Sequence, residues 1–114
     1  MVKKHHKIRR TPNFISAYAE MSSYLKKSSP MAYLSLPQGM ETILDVIEVH
    51  PRGWPIRRKN IGGIDLEFHI AIVSLAYRKL HVRYSVDDND VSCLLAIWVD
   101  GNDEPNYTTD SLDH

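Results

Sequence analysis

The sequence predicts an α+β fold: an N-terminal strand and two helices, then a three-stranded antiparallel meander packed on the helices. Two observations support this prediction. Apolar residues recur at helical spacing in the first half of the chain, and they alternate with polar residues in much of the second half. Helices and strands that are segregated along a sequence typically form a sheet with the helices on one face.

One domain and a short acidic tail account for the length of the chain. Its 114 residues and 43% apolar content fit a single domain over residues 1–102, followed by a tail over residues 103–114 that we expect to be flexible. The formal net charge of zero hides an asymmetry, because residues 1–83 carry all 14 Lys and Arg but only six acids, a net charge of +8. Residues 84–114 carry eight acids and no Lys or Arg. Such a division indicates a nucleic-acid or protein partner.

Three sequence features predict a cytoplasmic protein that makes no membrane contact. The longest apolar run, residues 93–99, is far shorter than the roughly 20 residues of a membrane-spanning helix. The basic start, residues 1–10, is not followed by the apolar stretch of a secretory signal. The single cysteine, Cys93, excludes an internal disulfide.

The first helix is predicted from its start signal and from its periodicity. The basic segment 2–10 precedes it and is either an edge strand or a mobile arm. Thr11 and Pro12 are typical of a helix N-cap and of the first helical position. Apolar residues at helical spacing then predict a helix over about 12–26; they are Phe14, Ala17, Tyr18, Met21, Tyr24 and Leu25.

A second helix is predicted to follow directly. Ser29 and Pro30 repeat the start signal, and apolar residues continue at helical spacing to about residue 49. Pro37 lies inside this stretch, where it removes a backbone donor and clashes with the preceding turn. We therefore expect a kink or a break at Pro37, with a main helical segment over about 37–49.

Three strands are predicted after a turn-rich loop at residues 51–55. Apolar and polar residues alternate over 64–70, within a strand predicted at about 64–73, and again over 79–87, which indicates two half-buried strands. Residues 91–99 are nearly all apolar, as expected for a strand at the centre of a sheet. The apolar faces of these strands are expected to meet the helices, leaving their polar faces in solvent.

A candidate catalytic cluster lies on the predicted polar face. Pairing the first two strands is expected to place Glu67, His69, His81 and Arg83 together on one exposed face. A carboxylate, an imidazole and a guanidinium are the groups that acid–base cleavage of RNA requires, because one removes the 2′-hydroxyl proton and another holds the charged phosphate. The alternative is an ordinary solvated face with cross-strand ion pairs such as Glu67 with Arg83.

Basic residues near this cluster are candidates for binding the RNA backbone, with Trp54 or Tyr77 as stacking surfaces. The candidates are Arg57, Arg58, Lys59, Arg78 and Lys79. The alternative is that they form a solvated rim. We expect no metal or other cofactor, because the histidines and acids lack a compact ligand spacing and there is no glycine-rich phosphate loop.

The chain resembles the RelE/ParE superfamily of bacterial toxins. The motif-carrying stretches are the helix start at residues 11–14, the loop at 50–55, the hairpin at 78–88 and the final strand at 91–98. Together they span most of residues 7–100, in the order that the family shows. The agreement of order, length and element type is more specific than any single motif.

The resemblance implies the toxin of a type II toxin–antitoxin system, held inactive by a cognate antitoxin protein. Nuclease members of the family cleave mRNA, usually on the ribosome and without metal, which implies an endoribonuclease here. A hairpin position that holds arginine in those nucleases matches His81, with Arg83 two residues on. The acidic and basic positions of the preceding strand fall near Glu67 and His69, and Tyr107 corresponds to a terminal tyrosine.

The segment after the last strand departs from the nuclease pattern. Nuclease relatives carry basic or aromatic catalytic residues there, whereas residues 99–104 contain two Asp and one Glu but no Lys or Arg. ParE-like members of the superfamily instead poison DNA gyrase, which is the first alternative function. A catalytically inactive member that binds a partner through the same fold is the second.

Overall fold

The chain passes from one short strand to two helices and then to four strands. In the computed structural model, which describes residues 7–100, these are β1 (Ile8–Arg10), α1 (Pro12–Ser28), α2 (Pro30–Val49), β2 (Ile56–Ile61), β3 (Ile64–Leu75), β4 (Arg78–Val86) and β5 (Ser92–Val99). The strands form one sheet in the order β1-β5-β4-β3-β2. β1 is parallel to β5, and the other neighbours are antiparallel. The protein is therefore α+β, as the segregated periodicities predict.

An additional strand, β2, occupies a segment that the sequence analysis left outside the sheet. It forms a hairpin with β3 through Gly62 and Gly63, whose φ angles of 59° and 86° suit a two-residue turn. β2 is an edge strand whose residues 56–60 are all exposed, so it lacks the apolar alternation by which strands are predicted. The prediction of a three-stranded meander is wrong for this reason, since four strands make up the meander.

The start of α1 is attached to an irregularity in the sheet. Thr11 caps the helix as predicted, because its hydroxyl accepts a hydrogen bond from the Phe14 N–H at 3.1 Å. The same hydroxyl donates to the Leu94 carbonyl at 2.8 Å, and the Asn13 side chain donates to the Leu95 carbonyl at 2.9 Å. Leu95 is the residue that the β4–β5 register skips, so this bulge supplies both acceptors.

Helix α2 continues through Pro37 without a break, so the prediction of a separate segment from about 37 is wrong. Proline in a helix interior costs about 3 kcal/mol, because one backbone hydrogen bond is lost. Packing on both sides of it offsets this cost, since buried side chains of α2 precede and follow it. They are Ala32, Leu36, Met40, Ile43, Leu44 and Ile47.

The main core lies between the helices and one face of the sheet. α1 packs on β5, while α2 packs on β3 and β4. Gly39 allows the close approach of α2, because a Cβ at this position would overlap the Leu75 side chain. The core side chains with no exposed surface include Leu25, Ile43, Ile47, Ala71, Leu80, Val82, Tyr84, Leu94 and Val99.

Tyr84 is a core residue whose polar atom has a defined partner. Alternation along β4 predicts that it points into the core, and its side chain has 0% exposed surface. Its hydroxyl donates to the Pro51 carbonyl at 2.7 Å, which holds the loop after α2 against the sheet. Burial raises the pKa of Tyr84 to about 12, because the phenolate would lose its hydration.

Replacing Tyr84 by phenylalanine should lower the free energy of unfolding at neutral pH by about 1 kcal/mol, because the Pro51 carbonyl loses its donor. This advantage of the wild type should shrink in alkali. The folded state holds the phenol proton up to about pH 12, whereas the unfolded chain releases it near the ordinary pKa of 10.0. The stabilisation by the Tyr84 hydroxyl is therefore complete below pH 10.0 and is lost as the pH rises towards the pKa of the folded state. Urea unfolding of both chains between about pH 8 and pH 11 should show the difference falling by about 1.4 kcal/mol. A difference that does not change with pH would contradict this account of Tyr84.

Candidate functional site

The predicted catalytic side chains of β3 and β4 lie on opposite faces of the sheet. His69 pairs with Tyr84, which belongs to the core between the sheet and the helices. Arg83 pairs with Ile70, which belongs to a second apolar cluster formed by strand residues alone. Directly paired residues have their side chains on the same face, so His69 and Arg83 point in opposite directions. We call the helix-covered face the inner face and the other one the outer face.

The prediction that Glu67, His69, His81 and Arg83 share one exposed face is therefore wrong. His81 pairs with Ile72 and is on the outer face with Arg83, whereas Glu67 alternates with Phe68 and is on the inner side with His69. The apolar alternation of β3 predicts the strand but not its orientation. Its apolar residues at 68, 70 and 72 face outward, and the inner face is formed by Ala71, Val73 and Leu75.

Glu67 and His69 have structural partners on the inner side. Glu67 accepts a hydrogen bond from the Arg58 Nε at 2.7 Å, so its ion pair is with β2 and not with Arg83. His69 is 5% exposed, and its Nδ1 lies 2.6 Å from the Trp54 carbonyl oxygen. Its ring stacks on Tyr84 with centroids 5.2 Å apart. These contacts fasten the loop before β2 to the sheet.

Arg78, a predicted RNA-binding residue, also acts structurally. Its Nε donates to the Ser29 hydroxyl at 2.9 Å, and its Nη1 donates to the Asp100 carbonyl at 2.9 Å. Its guanidinium carbon lies 5.7 Å from the centroid of the Tyr24 ring. Arg78 therefore connects the junction of the two helices to the end of the sheet.

The outer face carries a cluster in which two basic side chains lie among aromatic rings. The Arg83 guanidinium carbon is 4.5 Å from the centroid of the Phe68 ring and 5.8 Å from that of Trp98. The His81 ring stacks on Trp98, with centroids 5.1 Å apart and planes inclined by 7°. We call this the outer-face cluster; its members are Phe68, Ile70, Ile72, His81, Arg83, Ala96 and Trp98.

Most of the outer-face cluster is buried. Arg83 is 2% exposed and Trp98 is 7% exposed, while His81 is partly exposed. A guanidinium tolerates such a position better than an ammonium, because it is weakly hydrated and stacks on aromatic faces. A buried charge of this kind is costly to retain, which makes Arg83 a candidate for a functional role.

Exposed lysine and arginine side chains surround the outer-face cluster. Arg57 and Lys59 of β2 pair with Phe68 and Leu66, so they lie on the outer face, as does Lys79, two residues before His81. Arg58 lies on the inner side with Glu67. None of the strand positions that face outward in the described part of the chain holds Asp or Glu. The outer face is therefore electropositive.

The predicted site is thus only partly assembled. His81 and Arg83 come together with Arg57, Lys59 and Lys79, whereas Glu67, His69, Arg58 and Arg78 belong to other contacts. Tyr107 lies outside the described residues. Sequence reasoning missed Phe68 and Trp98 as site residues, because both were assigned to the apolar side of their strands, which was expected to meet the helices. The signal that could have found Trp98 is its place opposite His81 across the turn at 87–91, which joins β4 to β5.

The described residues were also compared with the requirements of a metal site and of a membrane-spanning helix. Between residues 7 and 100, three or more His, Cys, Asp or Glu side chains nowhere come together in a way that could hold a metal ion. Neither α1 nor α2 has the length and apolar character needed to cross a membrane. Comparison of the chain with protein-family models, curated proteins and solved structures finds no match.

Proposed function

We propose that this chain is a RelE/ParE-like toxin of a type II toxin–antitoxin module and that it cleaves mRNA at the ribosome, without metal, on the outer face of its sheet. The observation that carries the proposal is the outer-face cluster, where His81 and Arg83 lie together among aromatic rings on an electropositive surface. The order of strand, two helices and antiparallel meander supports the family resemblance.

The outer face has the two properties that bind a single RNA strand. Arg57, Lys59 and Lys79 provide exposed positive charge for the phosphates. Trp98 and Phe68 provide aromatic surfaces, and stacking of a base on such a ring contributes about 1–3 kcal/mol. Because both rings are buried in this structure, RNA contact requires the outer face to open.

The cleavage step assigns one role to each basic residue at the centre. Neutral His81 accepts the proton of the 2′-hydroxyl, whose oxygen forms a bond to the adjacent phosphorus. The bond from phosphorus to the 5′-oxygen breaks, and the departing oxygen takes its proton from solvent. Arg83 stabilises the additional negative charge on the phosphate oxygens in the transition state. Glu67 and His69 have no part in this step, because they lie on the inner side.

A cognate antitoxin is the proposed protein partner, and the helices provide a surface that supports it. A cavity of about 420 Å³ lies between α1 and α2, lined mainly by apolar side chains that include Phe14, Ile15 and Leu44. Ile15 in this cavity is 55% exposed, and Leu34, which lines a second cavity of about 180 Å³ between the same helices, is 70% exposed. Exposed apolar residues around a groove are typical of protein-binding surfaces.

The proposed function is tested by comparing two histidine variants. His81→Gln should reduce cleavage of mRNA by about 100-fold or more, because the proton acceptor is removed. His69→Gln is the matched control on the inner face; it should keep the cleavage pattern, although losing the contact with the Trp54 carbonyl lowers stability. Both are measured by expression in cells with mapping of RNA ends. Loss of cleavage in His69→Gln with normal cleavage in His81→Gln would place the catalytic site on the inner face and contradict the proposal.

The alternative of a DNA gyrase poison is favoured by one observation. The segment that follows β5 carries Asp103 and Glu104 where the nuclease relatives carry catalytic residues, and it contains no Lys or Arg. A supercoiling assay with purified protein separates the two functions. Inhibition of gyrase without mRNA cleavage supports the alternative, and the absence of any growth arrest supports a catalytically inactive binding protein.

A further inference from the structure

We infer that the tip of the β3–β4 hairpin is a second contact site for single-stranded RNA, where the Tyr77 ring stacks on a base away from the cleaved bond. The ligand is the RNA strand of the proposed function, on which this inference rests. The side chain of Tyr77 is 95% exposed, whereas Leu34 and Val49 are 70% and 67% exposed. The ring therefore adds nothing to the core, and both of its faces are open to a ligand.

The backbone of Tyr77 is left-handed, which costs free energy at a residue with a bulky side chain. Its φ angle of 62° lies where the Cβ of an L-residue crowds the backbone. The β2–β3 hairpin of the same sheet has Gly62 and Gly63 in its two-residue turn, with φ angles of 59° and 86°, and glycine avoids this crowding. Strained residues of this kind cluster at active sites and ligand-binding sites, which makes an exposed Tyr77 a candidate for binding.

The hairpin tip lies at the end of a row of basic residues on the outer face. Arg83, His81 and the exposed Lys79 alternate along β4 on this face, and Tyr77 precedes Lys79 by two residues. Four residues of extended chain span about 13 Å, which is the separation along the chain between His81 and Tyr77. An RNA strand that follows this row with its phosphates therefore brings a base to the tip.

Trp54, the other aromatic residue that the sequence suggests for stacking, belongs to the opposite side of the sheet. Its side chain packs against the main core, and its carbonyl oxygen lies 2.6 Å from the Nδ1 of His69, an inner-face residue. An RNA strand on the outer face therefore meets Tyr77 and not Trp54. Because every base has a face that can stack, this contact strengthens binding without selecting a sequence.

The test compares Tyr77→Asn with Tyr77→Phe. The probe is a labelled single-stranded 2′-O-methyl oligouridine, which cannot be cleaved because its 2′-oxygen carries no proton. Tyr77→Asn should bind this probe about 5- to 150-fold more weakly than the wild type, the fold-change that corresponds to one stacked base. Its melting temperature should be equal or higher, because asparagine tolerates a positive φ. Tyr77→Phe retains the ring and should bind as the wild type does.

A second arm uses probes that each lack one base. Removing the base that stacks on Tyr77 should weaken binding by the wild type, and removing the same base should have no effect on Tyr77→Asn. Equal losses for both proteins at every position, or tight binding of the intact probe by Tyr77→Asn, would overturn the contact at the hairpin tip and leave the RNA function in place. Failure of the wild type to bind any probe would overturn the RNA function and the contact together.

Discussion

Replacing Arg83 by methionine is expected to lower the rate of RNA cleavage by about 100- to 1,000-fold, the effect of removing one preorganised group that stabilises developing charge. Growth arrest on expression should be lost with it. Arg83 lies two residues from His81 on the outer face of β4. It is the cationic side chain of β4 that contacts the rings of both Phe68 and Trp98. A neutral side chain of similar length leaves the phosphate charge uncompensated.

The same substitution should leave the protein folded. Arg83 is 2% exposed, and methionine offers an unbranched side chain of similar length for the same space. Methionine adapts to irregular spaces and makes favourable contacts between its sulfur and the neighbouring rings of Phe68 and Trp98. Urea denaturation checks that the variant is folded, and loss of activity in a folded chain would separate function from folding.

Arg58→Met is the matched control for this experiment. Arg58 is an arginine of the same sheet, but it lies on the inner side with Glu67 and is 71% exposed. Its removal should change stability by less than about 1 kcal/mol, because exposed ion pairs contribute little. It should also leave cleavage unchanged. Equal cleavage by wild type and Arg83→Met, with Arg58→Met impaired, would move the phosphate contact to the other face of the sheet.

Periodicity predicted most of the fold, because its signals are local. The N-cap at Thr11 and the helix that follows it depend on neighbouring residues, and the alternation of β3 and β4 is visible without knowledge of their partners. β2 was missed because an exposed edge strand buries too little to leave an apolar pattern. The continuity of α2 through Pro37 was missed because tertiary packing offsets a local cost.

The candidate site was predicted only in part, because its composition depends on register. A shift of one residue moves every side chain of a strand to the other face. The alternation of β3 suggested that Phe68 and Ile70 face the helices, whereas the pairing of Ile70 with Arg83 places them on the outer face. His81 and Arg83 were assigned correctly to the face opposite the core because β4 has apolar residues on one side only.

A further large effect on stability is expected at Leu25, near the end of α1. Its side chain has 0% exposed surface and belongs to the main core, and its carbonyl accepts the Ser29 N–H at 2.8 Å where one helix passes into the next. Leu25→Ala removes buried methyl and methylene groups and leaves a cavity. The free energy of unfolding should fall by about 2–5 kcal/mol. That is a large fraction of the roughly 5–15 kcal/mol that stabilises a small domain.

Leu34→Ala makes the same chemical change on the surface of α2, where the side chain is 70% exposed. It should alter the free energy of unfolding by no more than about 0.5 kcal/mol, since little apolar area leaves the core and alanine favours the helix. Urea denaturation of Leu25→Ala, Leu34→Ala and the wild type measures both changes in the free energy of unfolding. The contrast also separates the two surfaces of the helices. Leu34→Ala should weaken only the binding of the proposed antitoxin at the smaller cavity that Leu34 lines, whereas Leu25→Ala lowers every activity through unfolding. Equal losses of stability in the two variants would mean that the Leu25 site collapses around the smaller side chain and that α1 is not held by this contact.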